Sequence, residues 1–300
     1  MNPFRGMLPA LTTPFTPALE VDHAALEQKA RWLIDHGASG LVPHGSLGEG
    51  STLSFEEKVE VQRTCVQASS GRVPVVPGIA ALSTAEAVAL ARAAEQVGCG
   101  GLMVLPPYLY STDWREIKAH VAAVIGATSL PVMLYNNPPA YRTDFLPEQV
   151  AELAAEHPNL LGVKESSGDV RRFAALLGAV PERVALGVGL DDLVVEGVSA
   201  GASFWVAGLV NALSEESLAL FEDARAGRDT RSLYQWFLPL LRLDTGPKFV
   251  QLIKLVEARL GVGSERVRPP RLALEGPERE AALAVIDHAL ARRPSLGERR

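Results

Sequence analysis

The chain has 300 residues, 47% hydrophobic and 21% charged, enough to bury a large core as one big domain or two ordinary ones. A formal charge of −6, with no Lys/Arg run interleaved with aromatics, excludes a basic face for nucleic acid. The start, MNPFRGMLPALTTPFTP, lacks a charged segment leading an apolar one, and no stretch of about 18 residues is uninterruptedly apolar, so no membrane partner is expected and the cytoplasm is the expected location.

In chain order, MLPALTTPF is a first strand without the Gly-rich turn that opens a doubly wound nucleotide-binding sheet. DHAALEQKARWLIDHG follows as a helix, with Asp22 as its cap, Leu26, Ala30, Leu33 and Ile34 on one face, and Gly37 at its end. The second strand, GLVPHG, runs into HGSLGEGS. There the backbone of Gly45, Ser46, Leu47 and Gly48 and the Ser46 hydroxyl can hold a carboxylate, an ordinary Gly-rich turn being the alternative.

VPVVPGIA and GLMVLPP are strands three and four, and helices are predicted to open at Ser54, Ser83 and Thr112. Cys65 and Cys99 lack CxxC spacing and read as buried reduced thiols. The six histidines form no HExxH or HxH cluster, and HGSLGEG and GVGLDD fit neither GxGxxG nor GxxxxGK[ST], so neither a metal nor a nucleotide cofactor is supported.

Strand five, PVMLYNNP, places Tyr135 on the face of Met133, where a phenol can relay protons or simply pack at the sheet's end. Strand six, LLGVKESS, carries the single lysine of the six that belongs to a strand. Period-two alternation groups Lys164 with Gly162 and sets Leu161 with Val163 on the other face, the one suited to helix packing, which turns Lys164 inward. An interior ammonium without a partner loses its hydration, and the usual escape is the neutral amine, a nucleophile able to form a Schiff base with a carbonyl. The alternative is a lysine that snorkels from the strand end to pair with Glu165.

Strand seven, VALGVG, puts Gly187 and Gly189 on one interior face, leaving room above the lysine. Asp191 and Asp192 beyond it either contact a polar substrate tail or cap the next helix. Strand eight, GASFWVAG, adds Val206 to the candidate substrate contacts, and a helix opening at Ser214 ends near Gly227. Eight βα units, each strand apolar on both faces, predict a (β/α)8 barrel over 1–227 with catalysis at its strand C-termini. The remainder, 228–300, reads as three helices without a strand: TRSLYQWFLPLLRL, GPKFVQLIKLVEARLG and GPEREAALAVIDHAL.

The succession GSLGE, PPYLY, YNNP, GVKESS and a late VRPP resembles the dihydrodipicolinate synthase / N-acetylneuraminate lyase family of class I aldolases, from TTPF to VRPPRLAL. The resemblance implies the same barrel with a three-helix extension, a homotetramer or homodimer, and no metal or organic cofactor. It makes Lys164 the Schiff-base residue for pyruvate or a related 2-oxo acid, Tyr135 the proton-relay phenol, and Ser46 with the following backbone the carboxylate cradle. Four departures stand out. Leu47 replaces the second hydroxyl of GTTGE; Leu109 stands where the synthases have a second tyrosine, with Tyr110 one residue off. Ala140 stands where they have a carboxylate-gripping arginine, with Arg142 two residues on, and Gly208 replaces the sialate lyases' serine. These point away from both substrates, and GSLGE, YNNPPAY and WFLPLLRLDTGPKFVQLIKL together resemble relatives that process 2-oxo acids in catabolic pathways, such as Δ1-pyrroline-4-hydroxy-2-carboxylate deaminases and sugar-acid dehydratases. Two readings of other classes are a barrel that binds a 2-oxo acid without turnover and a phosphate- or flavin-binding barrel.

Overall fold

Short apolar segments punctuated by proline and glycine make parallel strands when helices cover both ends of each crossover. A computed structural model describes residues 2–107 and 113–296. Among them, seven parallel strands form one sheet: β1 (Gly6–Pro9), β2 (Gly78–Ile79), β3 (Leu102–Val104), β4 (Val132–Asn136), β5 (Leu160–Glu165), β6 (Ala185–Val188) and β7 (Phe204–Ala207). Their order is β1-β7-β6-β5-β4-β3-β2.

Residues 41–42 close the two edges into a barrel through parallel bridges, Ala10 to Val42 and Leu41 to Val75. GLVPHG is thus the eighth stave, reduced to single bridges rather than a full strand. Pro43 has no N–H to give, Pro9, Pro74 and Pro77 thin the donors on either side, and His44, with φ of 40°, turns the chain away.

Alternation decides what each strand buries. Met7, Leu102, Val104, Leu134, Val163, Leu186 and Trp205 join the outer core beneath the helices, while Leu8, Val42, Met103, Met133, Tyr135, Phe204 and Val206 fill the interior. Phe4 plugs the N-terminal end of the interior, its ring against Gly162. Leu161 departs from the predicted outer face: a register shift between Val132 and Met133 bulges β5 at this point, and Leu161 packs against the inner cluster.

Asp22, Ser54 and Ser83 cap their helices as expected, Ser54 in a reciprocal pair with Glu57. Thr112 lies outside the described residues, and Asp113 provides that cap. Asp169 accepts from the N–H of Arg171, the first residue of its helix. Ser214 is the first helical residue, after Leu213, which supplies no side-chain cap.

Helices Arg231–Leu241, Phe249–Arg259 and Gly276–Leu290 follow the barrel. Buried ion pairs fasten the second of them: Lys254 to Glu49 at 2.6 Å and Glu257 to Lys29 at 2.8 Å. Glu49 also accepts the Arg268 N–H at 3.0 Å, so this fully buried carboxylate of GSLGE belongs to the fastening of the extension. Among the described residues no helix is long and apolar enough to cross a membrane.

Candidate active site

Strand β5 ends by delivering Lys164 to the barrel interior, paired in register with Tyr135 on β4 and Gly187 on β6. Only 6% of Lys164 is exposed, and its Nζ lies 4.0 Å from the centroid of the Tyr135 ring. Glu165, its neighbour in sequence, points elsewhere, accepting from Asn136 Nδ2 at 2.9 Å and from the Ser167 N–H. Among the described residues no carboxylate forms an ion pair with Lys164, so the snorkelling pair with Glu165 is absent.

The lysine's stem lies against bare backbone. A Cβ on Gly189 would fall 2.7 Å from Lys164 Cε and 2.0 Å from Ser166 Oγ. Gly187 does face inward, but the Phe204 ring fills the space its missing side chain leaves, so only Gly189 gives the lysine room.

Above Lys164 opens a cavity of about 530 Å³ lined by Gly45, Ser46, Leu47, Tyr135, Gly189 and Val206 among others. Of the residues expected here, Gly48, Gly187 and Asp191 do not reach it. Gly48 packs against the Leu11 carbonyl, and its own carbonyl accepts from Thr13 Oγ1 at 2.6 Å, so its role is to close the turn on β1.

Asp191 is fully buried behind the wall. Its carboxylate accepts from Trp205 Nε1 at 3.0 Å, the Gly208 N–H at 3.1 Å and the Leu209 N–H at 2.7 Å. Burial pushes its carboxyl up to about 6 against the pull of these donors and of Lys164. It is a brace for the turn after β7, neither a substrate contact nor a simple helix cap.

Two phenols meet at the cavity. Tyr135 Oη accepts from Asn137 Nδ2 at 2.8 Å, while Ser46 Oγ is hydrogen-bonded to Tyr141 Oη rather than to Tyr135. The rings of Tyr135 and Tyr141 stand edge to face, 5.8 Å apart at 81°. Leu47 and Ala140 line the cavity as the sequence implied, Arg142 is exposed outside it, and Leu109 and Tyr110 lie outside the described residues.

Of the lining residues that went unassigned in the sequence, three bear on the chemistry. Tyr141 follows YNNPPA, and only the short turn Pro138–Tyr141 swings it back over the barrel. Ser166 stands two residues beyond Lys164 on the same face, a period-two signal that marks it; its buried hydroxyl has no protein partner among the described residues. Asp244 comes from the short 3-10 turn Arg242–Asp244 after helix Arg231–Leu241, too far along the chain for any local pattern.

A model of the dihydrodipicolinate synthetase family matches residues 3–289. Curated relatives include the 4-hydroxy-tetrahydrodipicolinate synthase of Chelativorans sp. (strain BNC1), 34% identical over 95% of this chain and 98% of that one. The synthase of Rhizobium meliloti (strain 1021) is also 34% identical, over 95% and 98%. Among solved structures, YagE of E. coli K12, a prophage protein of the dihydrodipicolinic acid synthase family in complex with pyruvate, superposes with a TM-score of 0.90 at 26% identity, covering 96% of this chain and 99% of its own. A putative dihydrodipicolinate synthetase from Pseudomonas aeruginosa gives 0.88 at 31% identity, over 95% and 99%.

Proposed function

Since the chain belongs to the dihydrodipicolinate synthetase family and is a class I lyase of it, we propose that it forms a Schiff base between Lys164 and pyruvate or a related 2-oxo acid. The observation that carries this is the buried lysine without an ion pair among the described residues, at the C-terminal end of a barrel strand and 4.0 Å from the Tyr135 ring. The YagE complex supports the choice of a 2-oxo acid.

The substrate's carboxylate sits, on this reading, at Ser46 and the N–H groups of Ser46 and Leu47, which have no protein acceptor among the described residues. The protonated Schiff base draws electrons from the adjacent carbon, which then loses a proton, water or a carbon fragment. Tyr135 moves the protons.

The far half of the cavity favours a substrate other than the relatives' own. Ala140 offers no cation, and the amino- or carboxyl-bearing lining side chains among the described residues are Lys164 and Asp244. Among the described residues a second carboxylate finds no cation there besides Lys164, whereas the Asn137, Ser167 and Thr245 side chains suit hydroxyl-bearing or amine-bearing chains, as in sugar-acid dehydration or deamination of a hydroxylated pyrroline carboxylate.

Proton NMR of pyruvate in deuterated water tests the Schiff-base reading. The protein is expected to exchange the methyl protons, and Lys164→Ala to abolish the exchange. Exchange at the wild-type rate in Lys164→Ala would overturn it.

A further inference from the structure

The extension's turn Arg242–Asp244 reaches over the barrel mouth and puts a carboxyl in the wall of the same cavity as Lys164. The place is made by a missing side chain: a Cβ on Gly208 would fall 2.4 Å from Asp244 Oδ1. Behind it stands the Asp191 carboxylate, buried against the turn after β7. Asp192 lies on the same side, with Arg242 acting on Asp192, and Lys164 lines the same cavity as Asp244.

We propose that Asp244 is the site's general acid, protonating a hydroxyl that leaves from C4 of a 4-hydroxy-2-oxo acid held on Lys164, so that the chemistry is elimination of water. This rests on the Schiff-base reading above. Burial, and then the neighbouring carboxylate of Asp191, hold the Asp244 carboxyl well above the usual carboxylate range, with Lys164 pulling the other way. A carboxyl kept protonated has a proton to give to a leaving oxygen. Ser46 and Tyr141 are hydrogen-bonded to each other, and Tyr135, whose oxygen accepts from Asn137, serves the protons at C2 and C3.

The steps balance. Lys164 Nζ adds to C2, and the carbinolamine loses its hydroxyl as water with a proton from Tyr135, leaving an iminium and a phenolate. The phenolate takes a proton from C3, giving the enamine and restoring the phenol. The enamine pair expels the C4 oxygen, which leaves as water with the proton of Asp244. Water then adds to C2 of the conjugated iminium, its released proton returns to the Asp244 carboxylate, and collapse of the carbinolamine frees a 2-oxo-3-enoic acid and the Lys164 amine.

Two probes that differ only in the leaving group isolate this role: 4-hydroxy-2-oxobutanoate, whose hydroxyl needs a proton to leave, and 4-chloro-2-oxobutanoate, whose chloride does not. In Asp244→Asn and Asp244→Ala, dehydration of the hydroxy acid is expected to slow by about 10²–10⁴-fold while first-turnover chloride release, which precedes iminium hydrolysis, stays within about threefold of wild type. The borohydride-trapped pyruvate adduct on Lys164 is expected to be unchanged in both variants, which also reports that they are folded. Equal losses on both probes, no loss on the hydroxy acid, or a wild type that traps pyruvate yet dehydrates no 4-hydroxy-2-oxobutanoate would overturn the proposal. A wild type that traps no 2-oxo acid would instead remove the Schiff-base reading on which it stands, and the proposal with it.

Discussion

The Lys164 nitrogen sits 4.0 Å from the ring centroid of Tyr135, its register partner on the neighbouring strand. The lysine's chain is thereby held under a phenol whose oxygen is itself fixed by Asn137. Tyr135→Phe keeps the ring and removes only the proton carrier. Exchange of pyruvate methyl protons is expected to slow by about 10²–10⁴-fold while the trapped adduct still forms, though more slowly. An unaltered exchange rate would assign the relay elsewhere, with Tyr141 the next candidate.

Gly189 is where the geometry leaves least freedom. Gly189→Ala places a methyl 2.7 Å from Lys164 Cε and 2.8 Å from Cγ, so the lysine must leave its position. Overpacking of this kind costs about 1–3 kcal/mol, an amount a protein of this size tolerates. The expected outcome is a folded protein, by circular dichroism and thermal melting, that traps pyruvate poorly. Full trapping would show that the lysine stem has room that the packing denies.

Ala140 tests the reading of the cavity's far half. If no cation holds a distal carboxylate, 2-oxo acids with neutral tails should outcompete dicarboxylic ones. Ala140→Arg should then improve binding of the dicarboxylic ones by tenfold to more than a hundredfold, the roughly 1.5–3 kcal/mol of a charge-assisted contact. No gain in competition for the trapping reaction would mean that this position does not face the substrate.

His44, at the turn from the closing stave into GSLGE, gives a dependence on pH. Burial, helped by the charge of Lys58, pushes its imidazole down to about 3 from the ordinary 6.5. The unfolded chain therefore binds the extra proton first as pH falls. The contribution is complete above about 6.5 and is lost progressively down to about 3. Between pH 7.5 and 5.0 this group alone is expected to remove about 2 kcal/mol of folding stability, at 1.36 kcal/mol per pH unit below its unfolded value. Urea unfolding should show that drop in the wild type and a correspondingly flatter profile in His44→Gln; parallel profiles would contradict it.

The barrel and the inward lysine were legible because both follow from period-two alternation and from strand ends, which are local features. Lys164, Tyr135 and Gly189 fall where alternation puts them. The misreadings have local causes too. A one-residue bulge moved Leu161 to the inner cluster, and prolines within GLVPHG and on both flanking segments stripped it to bridges. Gly187 and Asp191 were placed by strand but not by depth: Phe204 occupies the first one's space, and the second turns behind the wall to accept from Trp205 and the turn after β7. Asp244 and Tyr141 were beyond sequence reasoning, because a turn from the extension and a four-residue helix bring them to the mouth.

The central claim is the bond between Lys164 and a 2-oxo acid, and borohydride trapping with pyruvate, read by intact mass and peptide mapping, tests it most directly. One pyruvyl adduct per chain, mapped to Lys164 and absent from Lys164→Ala, is the expected result. No adduct from pyruvate or from longer 2-oxo acids, or an adduct that persists in the variant, would contradict it.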